Sequence, residues 1–241
     1  MNTLASNMAA TTDEDFETFV DEELAWRRIE LTALADQLNS AAKKSPSSPV
    51  ARALARGVVT LLYAHWEGYC KAVFETYVKL IIKRKPLVSQ AANSLVLAHV
   101  AHLLRRLDSG DQAAGLEIVR LARGASSERL RVAHDKIVDT KSNLRFAVFE
   151  SIMSSLNLPI SDFSTKRHLI DVQLCDHRND IAHGRANFPE ASHVLELHKT
   201  VIEMMESVRD LSIGQLRSKS YCIPKSMPDG RPTGNSKLVD P

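Results

Sequence analysis

The chain has 241 residues, 44% of them hydrophobic, which is enough to bury a core and excludes disorder throughout. Lys and Arg number 31 against 29 Asp and Glu, a formal net charge of +2, so a protein that coats nucleic acid through a global positive field is excluded and any RNA contact must be local. Aromatic residues at 5%, with nine glycines and nine prolines among frequent Leu, Ala, Lys, Arg and Glu, predict an all-α protein.

Cys70, Cys175 and Cys222 are widely spaced, with no CxxC pair to suggest zinc or a disulfide framework, and fit a reducing compartment. The N-terminal stretch turns acidic early without a basic leader, and no apolar run approaches the ~20 residues that cross a bilayer. A cytoplasmic protein with no membrane partner is expected. Basic residues gather at Lys83–Lys85, at Arg105 and Arg106, and from Arg120 to Lys136, where solvated helix faces are the simplest account.

A first helix is predicted over 13–42, capped by Thr12 and followed by acidic Asp13, Glu14 and Asp15, with apolar Phe16, Phe19, Val20, Leu24, Leu31, Leu34 and Leu38 near helical period. The KKSPSSP stretch ends it. Residues 50–85 read as a long central core helix that stops before Pro86. A third helix spans 87–107, closed by Asp108, Ser109 and Gly110, and a shorter one covers 112–123; residues 124–140 are the least legible. Apolar spacing predicts a helix over 142–158 before Pro159, and another capped by Ser164 or Thr165 that runs to Gly184. A last long helix starts near Pro189, with Val194, Leu197, Val201, Met204, Met205, Val208 and Leu211 on its apolar side. Residues 13–215 are expected to form one helical domain and 216–241, with Pro224, Pro228 and Pro232, a flexible tail. Helices 50–85, 142–158, 165–184 and 189–214 are the expected bundle.

The stretch most suited to chemistry is Leu174 to Gly184, which contains Arg178, Asn179, Asp180, Ile181, Ala182 and His183. A guanidinium grips phosphate oxygens with a planar fork, and an imidazole moves a proton near neutral pH. Metal-free cleavage of RNA needs both: a base for the ribose 2′-OH, an acid for the departing 5′ oxygen and a cation on the phosphate. Arg178 would be the clamp and His183 the base or the acid. One histidine does not readily do both in one step, so a second copy of the chain would supply the missing group across a two-fold axis. Residues five apart lie about 140° apart on an ideal helix, whereas Asn179 shares a face with His183. Arg178 reaches His183 only if the helix loosens near Gly184, if its side chain curls round, or if it faces a partner's histidine. The competing reading is an arginine at a helix edge and a histidine used as a C-terminal cap.

Arg178 to His183 matches the R-x4-H form of the HEPN signature, with the polar Asn179 typical after the Arg, near the end of one predicted helix and followed by Gly184 and another helix. Leu61 to Lys71 and Asp139 to Leu144 also resemble a prokaryotic HEPN-like nuclease family related to the RiboL-PSP-HEPN group. The resemblance covers about residues 55–210. It implies a helical bundle with additional helices, a homodimer, and RNA cut without a metal or cofactor to leave 2′,3′-cyclic phosphate and 5′-OH ends. It also implies a regulated toxin or phage-defence effector, held by an antitoxin or another regulatory protein. The alternative is a HEPN module that binds nucleotides or a partner without catalysis.

Arg178 and His183 are thus the expected catalytic pair, Asn179 their support, and His177 and Arg185 candidate RNA contacts. His65, Trp66 and Glu67 sit on the central helix, Trp66 as core and Glu67 as an orienting group, with His65 a candidate neighbour of the site. Asp176 and Asp180 either position Arg178 and His183 or face solvent, and Cys175 reads as buried packing. His99 and His102 share a helix face without a nearby carboxylate to complete a metal set. No GxxxxGK[ST], GxGxxG or HExxH is present. A third reading pairs the apolar face of the last helix, with Met204 and Met205, to another protein.

Overall fold

Three long helices set the frame of the computed structural model, which describes residues 10–141 and 143–223. They are α1 (Asp13–Lys44), α2 (Pro49–Arg84) and α8 (Ala191–Arg217). Thr12 caps α1 in a reciprocal box: its hydroxyl accepts from the Asp15 amide at 3.1 Å and the Asp15 carboxylate accepts from the Thr12 amide at 3.0 Å. Ser48 caps α2 and Pro49 occupies its first turn. The buried stripe Phe16, Val20, Leu24, Leu31 and Leu38 seats α1 against α2 and α8. Asp21 and Arg209, Arg28 and Glu206, and Glu17 and Arg217 pair across the α1–α8 seam, which sets its antiparallel register more than its stability.

The all-α expectation holds, and no strand occurs among the described residues. The bundle differs in membership. Helix α1, left out of the expected four, is a full core partner because its buried face matches those of α2 and α8. Met204 and Met205 are buried in the same core, so the apolar face of α8 is occupied by the chain itself, contrary to the reading that offered it to another protein.

Between α2 and α8 come α3 (Asn93–Asp108) and α4 (Gln112–Ala122), a hairpin, then α5 (His134–Ile137), α6 (Phe146–Ser155) and α7 (His177–Ala182). The helix expected from 87 starts only at Asn93. Residues 87–92 are drawn off by non-local bonds: Val88 donates to the Glu128 carbonyl at 3.0 Å, Leu130 to Pro86 at 2.9 Å, and Ala92 to Tyr221 at 2.8 Å. The expected start of α6 near 142 moves to Phe146, whose amide donates to the Asp171 carboxylate at 2.7 Å; Ser142 lies outside the described residues. Phe149 joins α6 to its surroundings, with ring centroids 5.3 Å from Trp66, 6.0 Å from Phe74 and 5.0 Å from Phe163.

Residues 161–182 form one continuous helix of changing width: a 3₁₀ turn (Ser161–Lys166), a π segment (Leu169–Asp176) and α7. Neither Ser164 nor Thr165 caps it, since it has already begun at Ser161. Pro189 precedes α8 instead of filling its first turn, and α8 continues past Gln215 to Arg217. Residues 218–223 fold back, with Tyr221 buried and the Ile223 amide donating to Gln90 at 2.8 Å; the rest of the expected tail lies outside the described residues.

Phe149→Ala should cost about 3–5 kcal/mol, read as a lower urea midpoint with an unchanged slope; a loss below about 1 kcal/mol would mean the aromatic cluster does not anchor α6. A second expectation concerns pH. Burial holds the His65 imidazole below its ordinary value of 6.5, against the opposing pull of Glu30, whose carboxylate lies 3.0 Å from Nε2. The native state then binds fewer protons than the unfolded chain, so this contribution is present above about pH 6.5 and lost as pH falls below it. The melting temperature should drop between about pH 7.5 and about pH 5.5, less steeply in His65→Gln. Equal slopes in the two proteins would assign the dependence to other groups.

Candidate active site

The π segment carries buried Ile170, Leu174 and Cys175 at spacings of four and five, which suits a turn wider than an α-helix. It delivers α7 with Arg178 and Asn179 half-buried. The Arg178 guanidinium lies over the Tyr63 ring, 4.2 Å from its centroid, and donates to Asn179 Oδ1 at 2.9 Å. Tyr63 is buried on α2, and its hydroxyl accepts the Leu144 amide at 2.9 Å. Burial, and next to it the Glu67 carboxylate, push that hydroxyl well above its usual range, so it stays a neutral phenol. Cys175 packs beneath, its thiol donating to the Leu144 carbonyl at 3.7 Å and pushed up to about 12 by burial, too high for a nucleophile.

Ala182 ends the helix and His183 stands on its cap with φ −88° and ψ 11°. Gly184 follows at φ +70°, donating to Ile181 at 3.0 Å while Arg185 donates to Asp180 at 2.9 Å, a Schellman ending. The His183 amide still makes the helical bond to Asn179, and the chain leaves helical geometry only from the cap onward. Arg178 and His183 both line one open cleft of about 670 Å³, with Asn143, Arg145, Asp176, Asn179, Asp180 and Arg185. Asn179 links the two: its side chain receives Arg178 and its carbonyl accepts the His183 amide at 3.0 Å. The His183 side chain is exposed to solvent.

The cleft holds three guanidinium groups against two carboxylates. Arg145 reaches Asp176 at 2.5 Å and Arg185 reaches Asp180 at 2.7 Å. The hydrogen bond from Arg185, then that from Asn187, holds the Asp180 carboxyl below its ordinary value, so it remains an anion beside α7. Asp176 and Asp180 therefore position arginines and not His183. Phosphate oxygens entering the cleft would compete with both carboxylates for these guanidinium forks.

Of the candidate RNA contacts, Arg185 lines the cleft and His177 does not; the latter is half-buried, with Nδ1 lacking a hydrogen bond among the described residues. His65 lies on the α1 side, its ring 5.1 Å from Trp26, away from the cleft, while Trp66 is core. His99 is buried, its Nδ1 accepting the Arg131 amide at 3.1 Å, and Glu128 is 3.8 Å from Nε2, a carboxylate the sequence reading did not place there. No group of three His, Cys, Asp or Glu able to hold a metal is found among the described residues.

Sequence reasoning missed Arg145 and Arg56, and held Tyr63 and Asn143 only within the two stretches that resemble the HEPN-like family, with no role for either. Arg56 on α2 donates to the carbonyls of Arg185 at 2.8 Å and Asn187 at 2.6 Å, pinning the loop after the cap. Tyr63 carried one signal, a hydroxyl on the apolar face of a core helix that needs a partner. Arg56 and Arg145 carried none, since a lone arginine in a helix pattern reads as solvent-facing.

A family model described as RiboL-PSP-HEPN matches residues 22–213. No curated protein and no solved structure matches the chain.

Because a Cβ at Gly184 meets nothing within 4 Å, Gly184→Ala should cost only the left-handed backbone penalty. That is about 1–2 kcal/mol in urea unfolding. A neutral substitution would show that the cap relaxes to another conformation.

Proposed function

This chain belongs to the RiboL-PSP-HEPN family, and from that premise we propose that it is an RNA endonuclease acting without a metal at the Arg178–His183 cleft. The observation that carries the reading is the convergence of a half-buried, oriented guanidinium and an exposed imidazole on one open cleft. RNA laid there would place a phosphate against Arg178, held over Tyr63 and turned by Asn179, with Arg145 and Arg185 exchanging Asp176 and Asp180 for non-bridging oxygens. His183 takes the proton of the 2′-OH as that oxygen attacks phosphorus, or returns a proton to the 5′ oxygen as its bond to phosphorus breaks. The products are a 2′,3′-cyclic phosphate and a 5′-OH. The guanidinium groups offset charge that grows on the phosphate in the transition state.

His183 is the one histidine lining the cleft among the described residues, so one copy supplies either the base or the acid. A homodimer that turns two such clefts toward each other completes the set. Residues 182–186, exposed at the end of α7, leave room for that approach. Unchecked RNA cleavage would poison the cell, so a regulated toxin or phage-defence effector, restrained by an antitoxin or another regulatory protein, is the accompanying role.

Purified protein incubated with labelled RNA in excess chelator should yield cyclic phosphate ends. His183→Ala and Arg178→Ala should each lower the rate by at least about 100-fold. Equal cleavage by all three proteins would remove the assignment of both residues. A folded, dimeric wild type that binds RNA without cutting it would instead be a non-catalytic binding module.

A further inference from the structure

Beside the cleft lies a second groove, of about 750 Å³, bounded by the end of α1, the start of α2 and the start of α8. Phe188 lines it and is 55% exposed. The guanidinium groups of Arg56 and Arg52 lie over this ring, 5.2 and 5.9 Å from its centroid. Both arginines stand on one face of α2, a turn apart. The two guanidinium groups leave much of Phe188 open to solvent. Arg56 also grips the carbonyls of Arg185 and Asn187, so the ring stands on a braced loop.

The surroundings are electropositive. Lys43 and Arg52 are exposed at the groove and make no ion pair among the described residues, and Glu190 is the one carboxylate among its lining residues. The N-terminal end of α8 opens onto it through Ala191 and Ser192, with no side-chain cap on its first amides. A flat apolar face inside a rim of cations matches a nucleotide, whose base offers a π-face and whose phosphate offers charge. Phe188 lies three positions along the chain from Arg185 in the cleft, at most about 10 Å away.

We propose that this groove is a stacking subsite for an unpaired base of single-stranded RNA, with Phe188 as its platform and Arg52 and Lys43 as its phosphate contacts. It rests on the ribonuclease reading of the adjacent cleft and defines the substrate class: the strand enters unpaired on this side, because a base inside a duplex has both faces already stacked.

The test uses full-length His183→Ala protein, to prevent cleavage, and fluorescent RNA of mixed sequence, single-stranded or fully paired. Adding Phe188→Ala should raise Kd for the single strand about 10-fold, with about twofold or less on the duplex. Phe188→Trp should restore the single-strand affinity, and Arg52→Gln should weaken binding and flatten its salt dependence. Unchanged single-strand affinity in Phe188→Ala overturns the subsite, and so does an equal loss for both RNA forms. A shift of Phe188→Ala from dimer to monomer with RNA affinity intact also overturns it, giving the face to a second copy of the chain. Wild-type cleavage, measured separately, judges the nuclease reading: cleavage without a Phe188 effect sinks the subsite alone, and neither cleavage nor RNA binding sinks both.

Discussion

Tyr63 joins three segments that are far apart in sequence. Its hydroxyl takes the Leu144 amide and its ring face carries the Arg178 guanidinium, while its own helix, α2, runs through the middle of the core. A buried hydrogen bond of this kind contributes about 0.5–1.5 kcal/mol net, but leaving the Leu144 amide unsatisfied would cost about 1–3 kcal/mol. The contact with Arg178 adds a cation–π attraction of about 0.5–2 kcal/mol and holds the guanidinium flat. With that support the cleft's principal cation presents a fixed fork instead of sampling the rotamers of a free arginine.

Around this support each element has a distinct task. The π segment turns α7 so that Arg178 and Asn179 leave the core beside Cys175, and the Schellman ending sets His183 on the rim. Arg56 then fixes the loop that leads to Phe188. Asp171 caps α6 and Asp176 pairs with Arg145, so the segment holding Asn143 and Arg145 is tied to the motif helix at two points. Arg56 thus braces the short connection that runs from Arg185 in the cleft to Phe188 in the groove.

Much of the fold was legible because it depends on local rules. The Thr12 cap and Gly184 at φ +70° each follow from what a helix end requires, and the apolar stripes of α1, α2 and α8 follow from helical period. Expectations failed where a distant partner competed for a backbone amide. Residues 87–92 left their helix for Glu128 and Tyr221, and α6 started late because Leu144 found Tyr63 and Phe146 found Asp171. A local reading cannot anticipate an acceptor many residues away.

The same division holds for the site. Sequence by itself determined the all-α class, the chemistry available at Arg178 and His183 and the glycine that ends their helix, because these depend on residue type and on spacing within a few turns. Only the tertiary structure decided that the two side chains share a cleft, that Arg185 joins them while His177 does not, and that Phe188 stands exposed beside Arg56. Those outcomes rest on a π segment, a C-terminal cap and contacts between α2 and residues more than eighty positions away. Each becomes defined only when the chain has packed.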